Sequence, residues 1–91
     1  MKILRFSTQY KKDAKRFRNQ HRKMEKVMRI LQMLRDDIPI PEKYNPHILT
    51  GNYKDCMECH IEGDFLLIWI DETENQIGVL RLGSHSGLFG I

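Results

Sequence analysis

The sequence has no apolar run near the roughly 18–20 residues that a membrane-spanning helix needs. Its longest apolar run, from Phe65 to Ile70, is six residues long. The chain also meets charge at Lys2 and Arg5, which is too early for the apolar core of a secretory signal peptide. We therefore expect a cytoplasmic protein that does not associate with membranes.

Cysteine is scarce, and Cys56 and Cys59 are the only two in 91 residues. With His60 they match the Cys-x-x-Cys-His spacing of c-type haem attachment. The motif falls in a predicted strand, however, where side chains alternate between faces and three residues span about 10 Å. That separation is too large for a shared zinc ion or a disulfide. We expect two half-buried, reduced cysteines, no metal and no cofactor.

Acidic residues are rare in the first part of the chain and basic residues are rare in the rest. Residues 1–35 carry twelve Lys and Arg against two acidic residues, a net charge of +10. Residues 36–91 carry three Lys and Arg against ten acidic residues, a net charge of −7. This segregation favours an anionic partner for the basic part, with nucleic acid as the first candidate. The alternative is that these are two ordinary solvated faces whose net charges differ in sign, without a specific partner.

Apolar spacing predicts a strand and a helical hairpin in the first part of the chain. Alternation over residues 2–6 is typical of a strand. Two stretches with helical apolar spacing follow, and the short link between them predicts a hairpin that ends near Arg35. The core residues expected from the second stretch are Met24, Val27, Met28, Leu31 and Leu34.

The second part of the chain reads as strands. Residues 36–46 contain three prolines and predict a crossing loop. Strands are predicted over 53–61, 65–70 and 76–82, with the middle one buried on both faces. The glycine-rich tail, 83–91, carries Leu88 and Phe89 and is expected to fold back on the sheet. The prediction is one α+β domain over 1–91, ordered β-α-α-β-β-β, with the hairpin on a mainly antiparallel four-stranded sheet.

Alternation in the 53–61 strand places Glu58 and His60 side by side on one face with Cys56. It places Tyr53 and Met57 on the other face. A neighbouring carboxylate holds an imidazole in one tautomer and favours its charged form.

RNA cleavage without a metal needs a base for the 2′-hydroxyl proton, an acid for the leaving 5′-oxygen and a cation near the phosphate. Histidine suits both proton transfers because its unperturbed pKa is about 6.5. Arg81, in an otherwise apolar strand, is the candidate cation. A structural pairing with Asp64 or Glu58 is the alternative for this arginine.

Three short motifs follow one another along the chain. They are His47-x-Leu49-x-Gly51, then Cys59-His60-Ile61-Glu62-x-Asp64 before the apolar run, then Arg81-x-Gly83-x-His85-x-x-Leu88-Phe89-Gly90. In this order and spacing, and over nearly the whole chain, they resemble the YafQ branch of the RelE/ParE toxin superfamily. The resemblance implies a RelE-like microbial RNase fold and a ribosome-dependent mRNA endonuclease. It also implies control by a cognate protein antitoxin.

Residue by residue, the resemblance implies an active site formed by His47, Glu58, His60, Asp64, His85 and Phe89, where Glu58 replaces an Asp frequent in the family. His47 is expected to act as the base and His85 as the acid, with His60 and Asp64 ordering the site. Phe89 is expected to stack on a base of the message. A hydrophobic plug that closes the sheet is the alternative for this aromatic ring.

The basic helix is then expected to contact ribosomal RNA phosphates, which adds affinity without sequence choice. Its cations are Lys11, Lys12, Lys15, Arg16, Arg18 and Arg22. The expected partners are an antitoxin, the ribosome and mRNA, and the toxin is expected to be monomeric outside the antitoxin complex. Two other functions stay open: a ParE-like toxin that acts on DNA gyrase, and a catalytically inactive RNA- or protein-binding module.

Overall fold

The computed structural model describes residues 1–90, so Ile91, the last residue of the predicted tail, lies outside the described residues. The strands and helices follow one another as β1 (Ile3–Phe6), α1 (Thr8–Phe17), α2 (His21–Arg35), β2 (His47–Ile48), β3 (Met57–Glu62), β4 (Phe65–Thr73), β5 (Gln76–Ser84) and α3 (His85–Phe89). Short 3₁₀ turns cover Glu42–Tyr44 and Gly51–Tyr53.

The strands form one sheet in the order β1-β5-β4-β3-β2. β1 runs parallel to β5, and the other neighbouring pairs are antiparallel. The predicted α+β class and mainly antiparallel sheet are confirmed. The sheet has five strands instead of the predicted four. The additional strand, β2, is a two-residue segment directly after Pro46, and so short a segment has no measurable periodicity.

The helical hairpin covers one face of the sheet. Val27 and Ile30 of α2 pack in one buried cluster with Leu67 and Trp69 of β4. Met28 was expected in this core, but it is 53% exposed, because the buried stripe of α2 runs through Ile30. Most lysines and arginines of α1 are exposed on the side away from the sheet, whereas Asp13 of α1 is buried.

The opposite face of the sheet is covered by the tail. Leu88 of α3 packs on Leu66 and Ile68 of β4 in a second buried cluster. β4 is therefore buried on both faces, and the tail folds back on the sheet, as the sequence predicts. Cys56 belongs to this second cluster and Cys59 to the first, so the two thiols lie on opposite faces.

Candidate active site

Three side chains meet at the β2–β3 edge of the sheet. The register pairs His47 with Glu58, and His60 lies two residues further along the same face of β3. Glu58 Oε1 lies 3.3 Å from His47 Nε2 and 3.5 Å from His60 Nε2. The predicted proximity of Glu58 and His60 is confirmed, and β2 adds His47 to the pair.

The carboxylate is buried and the two imidazoles are half exposed. The side chain of Glu58 is 4% exposed, against 38% for His47 and 39% for His60. Within the described chain, Glu58 Oε2 has no hydrogen-bond partner. Burial without full pairing is costly for a carboxylate, and such cost is concentrated at functional sites.

Each imidazole has a second acceptor on its other nitrogen. His47 Nδ1 lies 2.7 Å from the Asn45 carbonyl oxygen, and His60 Nδ1 lies 3.3 Å from that of Gly63. A neutral imidazole donates from one nitrogen only. Each ring therefore has an oxygen near both nitrogens, and only an imidazolium donates to both.

His85 begins α3 at the end of the neighbouring strands. Its backbone N–H donates to Asp64 Oδ1 at 3.2 Å, and its exposed ring lies 4.7 Å, centroid to centroid, from the ring of Phe89. The register places Gly83, two residues earlier, in the same transverse row as His60. His47 and His60 thus meet on one face of the sheet through Glu58, and Asp64 and His85 lie beyond the strand ends on the side of the sheet where His60 is.

Arg81 lies on the same face, in the row that runs through Glu58 and Ile68. Its guanidinium binds Asp13 of α1, with Nε–Oδ2 2.8 Å and Nη2–Oδ1 3.2 Å. The alternative pairing with Asp64 or Glu58 is therefore wrong. The hydrogen bond to Asp13 raises the pKa of Arg81 further above its usual range, so this group stays charged.

Tyr53 also reaches this face, and the sequence placed it on the opposite one. The predicted strand begins only at Met57 because Asp55 has a φ of 70°, which breaks the extended run. The Tyr53 ring packs edge-on against Phe89 at 5.4 Å between centroids, and its hydroxyl lies 3.4 Å from Arg81 Nη1. Phe89 is half-buried in the second cluster.

The predicted basic surface lies away from the sheet. Its six cations are exposed and lie on α1, in the link or at the start of α2: Lys11, Lys12, Lys15, Arg16, Arg18 and Arg22. Glu62 interrupts it, since Glu62 Oε2 lies 2.7 Å from Lys26 Nζ and 3.8 Å from Arg22 Nε. The hydrogen bond from Lys26 lowers the pKa of Glu62.

Over residues 1–90, one group of three side chains has donor atoms close enough to share a metal ion, namely His47, Glu58 and His60, whose ligand atoms all lie within 4.8 Å of one another. The Cys56-x-x-Cys59-His60 motif does not form a site, because its thiols point to opposite faces. Both thiols are buried and free. Burial raises the pKa of Cys59 to about 12.

No helix in the described part of the chain is long and apolar enough to cross a membrane.

Residues 2–90 match the family model described as the bacterial toxin of a type II toxin–antitoxin system, YafQ. The mRNA interferase toxin YafQ of Escherichia coli K12 is 33% identical over 88 residues, covering 96% of this chain and 95% of the relative.

Two solved structures are also similar. YafQ in the E. coli DinJ–YafQ complex has a TM-score of 0.85 and 30% identity, and the match covers 99% of this chain and 100% of that one. A metal-bound toxin from Helicobacter pylori has a TM-score of 0.86 and 33% identity, with coverage of 98% and 100%.

Proposed function

The chain belongs to the YafQ family of bacterial toxins of type II toxin–antitoxin systems, and from that membership we propose that it is an mRNA endonuclease that acts on the ribosome. The observation that carries the chemistry is the buried Glu58 carboxylate between two half-exposed imidazoles. His85 and Arg81 share this face of the sheet. The reaction is acid–base cleavage, in which the message supplies its own nucleophile.

In the first half of the reaction, His47 Nε2 takes the proton of the 2′-hydroxyl. The resulting imidazolium is stabilised by the Glu58 carboxylate and by the Asn45 carbonyl oxygen. The 2′-oxygen then attacks the adjacent phosphorus. His60, held by the same carboxylate, stabilises negative charge on the phosphate.

In the second half, the bond from phosphorus to the 5′-oxygen breaks and the His85 ring donates a proton to that oxygen. The products are a 2′,3′-cyclic phosphate and a free 5′-hydroxyl, so protons and charges balance. Asp64 fixes the backbone of His85 and thereby the start of α3. The Arg81 guanidinium neutralises the phosphate as charge builds on it.

Phe89 stacks on a base of the message. Its ring is half-buried against Tyr53 and His85, so one part anchors α3 and the other part stays accessible. The plug and stacking interpretations are therefore compatible for this residue.

Three partners follow for this chain. The complex of its relative with DinJ supports a protein antitoxin. The exposed cations of α1 support contact with ribosomal RNA phosphates, and the message is the substrate. The cytoplasm is where these partners meet.

Induction in a bacterium, followed by mapping of mRNA 5′-ends, tests the function. Cuts in translated messages are expected for the wild-type chain and should disappear with His85→Ala. His21→Ala is the matched control, because His21 is an exposed histidine at the start of α2, outside the site. DNA breaks or gyrase arrest without mRNA cuts would overturn the proposal in favour of the ParE-like alternative. A folded wild-type chain that affects neither target would indicate an inactive binding module.

Metal binding is a second candidate activity of the same residues. Two imidazoles and a carboxylate suit zinc or copper, and Glu58 Oε2 is buried without a partner in the described chain. That a similar toxin from Helicobacter pylori binds a metal supports metal binding by this chain. A bound ion would be held by His47, Glu58 and His60 and would act as a Lewis acid. Since it would compete with the proton transfers proposed for these imidazoles, we expect Zn²⁺ to slow cleavage and EDTA to restore it. Calorimetric titration with Zn²⁺ should detect binding that is lost in His47→Ala and kept in His21→Ala. Equal binding by both variants would exclude this site.

A further inference from the structure

Asp13 has no role in the proposed reaction, yet it is buried in the fold, with only 3% of its surface exposed. It lies on α1, which continues along the edge of β5 after β1 ends at Phe6. Its Oδ2 accepts from the Leu82 backbone N–H at 2.9 Å, in addition to the bonds from Arg81. Both oxygens of this buried carboxylate accept hydrogen bonds, three in all, so its position is tightly fixed.

The partner of Asp13 lies on the proposed active face. Arg81, Ile68 and Glu58 are successive register partners on β5, β4 and β3. Two strand spacings put Arg81 about 10 Å from Glu58 across the sheet. An RNA phosphate with its flanking sugars spans a distance of that order.

The hydrogen bonds to Asp13 determine which N–H donors of the Arg81 guanidinium remain for a ligand. A guanidinium carries five N–H donors in one plane, and Asp13 takes the Nε donor and one on Nη2. The other three are the second donor on Nη2 and the two on Nη1. Nη1 is 3.4 Å from the Tyr53 hydroxyl, which takes at most one of its two donors, and the Arg81 side chain is 23% exposed. The paired hydrogen bonds between Asp13 and Arg81 therefore turn the Nη1 edge of the guanidinium away from α1 and towards Tyr53.

We propose that Asp13 is a positioning residue: it holds the Arg81 guanidinium in one orientation, with the Nη1 edge presented to a phosphate of the message. The proposal rests on the proposed nuclease function. Without Asp13, Arg81 keeps its charge, but its long side chain samples other rotamers and loses the fixed angle. Misplacement by about 1 Å costs on the order of a hundredfold in rate.

Asp13 also joins α1 to β5 through the Leu82 N–H, so the test has to separate positioning from stability. Asp13→Asn is nearly isosteric and retains one oxygen as an acceptor. Asp36→Asn is the matched control, because Asp36 forms a similar fork with Arg35 at 3.0 and 3.3 Å, but on the exposed end of α2. Thermal unfolding of each variant reports stability directly.

The readout is single-turnover cleavage of a ribosome-bound message at several toxin concentrations. Asp13→Asn should lower the saturating rate tenfold to a hundredfold, with the half-saturating concentration unchanged within about twofold. Asp36→Asn should match the wild type. In an Arg81→Ala background, Asp13→Asn should have no further effect, because its influence passes through the guanidinium.

A wild-type rate in Asp13→Asn would overturn the proposal. So would a double variant slower than Arg81→Ala by the full factor of Asp13→Asn, since Asp13 would then act independently of Arg81. If Asp13→Asn does not fold, Arg81→Lys decides: it keeps the charge but loses the fork, and we expect it to fall to within a few-fold of Arg81→Ala. A wild-type rate in Arg81→Lys would show that cleavage does not need a guanidinium held in one orientation, which would overturn the proposal. A wild-type chain without cleavage would overturn the proposed function, and the role of Asp13 with it.

Discussion

Glu58→Gln is the substitution that tests most sharply how the charge of the site supports catalysis. It keeps the shape of the side chain and removes the negative charge between the two imidazoles. At 3.3 Å from His47 Nε2, a unit charge pair has a Coulomb energy of about 5 kcal/mol at an effective dielectric constant of about 20.

Solvent lowers this value, because the His47 side chain is 38% exposed. Fully exposed pairs contribute at most about 1 kcal/mol, so a half-buried pair is expected to contribute about 2 kcal/mol. If that energy stabilises the imidazolium formed in the transition state, its loss slows cleavage roughly thirtyfold.

The assay is single-turnover cleavage of a ribosome-bound message, with thermal unfolding measured in parallel. Glu25→Gln is the control, since Glu25 pairs with Arg29 on the exposed surface of α2, away from the sheet. A wild-type rate in folded Glu58→Gln would refute the reasoning. It would mean that the carboxylate does not stabilise the protonated base.

Three further predictions concern the surface, the thiols and one ion pair. Replacing Lys15, Arg16 and Arg18 together by Glu should weaken sedimentation with ribosomes, most clearly at low salt, and leave the melting temperature nearly unchanged because all three are exposed; unchanged sedimentation would contradict the placement of the basic surface. Cys56 and Cys59 should react with a thiol reagent at pH 8 only after unfolding, since burial raises the pKa of both thiols and blocks access; rapid labelling of the native protein would contradict this. Lys26 lowers the pKa of Glu62, so the pair stabilises the fold above the unfolded pKa of about 4.3 and loses this effect as pH falls through the lower folded value. Lys26→Ala should therefore lower the melting temperature at pH 7 and not at pH 2, and an equal loss at both values would argue against the ion pair.

The parts of the fold that periodicity describes could be predicted. The apolar run in β4 indicated a strand buried on both faces, and the period of two along β3 placed Glu58 beside His60 and separated Cys56 from Cys59. The parts that depend on contacts distant in sequence could not be predicted. β2 is two residues long, so no local sequence pattern predicted that His47 would pair with Glu58.

Asp13 shows the same limit more clearly. It lies 68 residues before Arg81, and in the sequence it was one acid among many basic residues of an amphipathic helix. Only the packing of α1 along β5 brings the two together. An acidic residue on the apolar stripe of a basic helix, three residues after the buried Tyr10, is the signal that could have indicated a buried partner.

The central claim is that the message is cut by its own 2′-hydroxyl, activated by imidazoles gathered at one end of the sheet. A message with a single 2′-deoxynucleotide at the mapped cleavage position tests it most directly, in a reconstituted ribosome complex containing EDTA-treated toxin. The account predicts that this message stays intact at that position, while the all-ribose message is cut to a 2′,3′-cyclic phosphate. Cleavage of the deoxy-substituted message at the rate of the all-ribose one would contradict it.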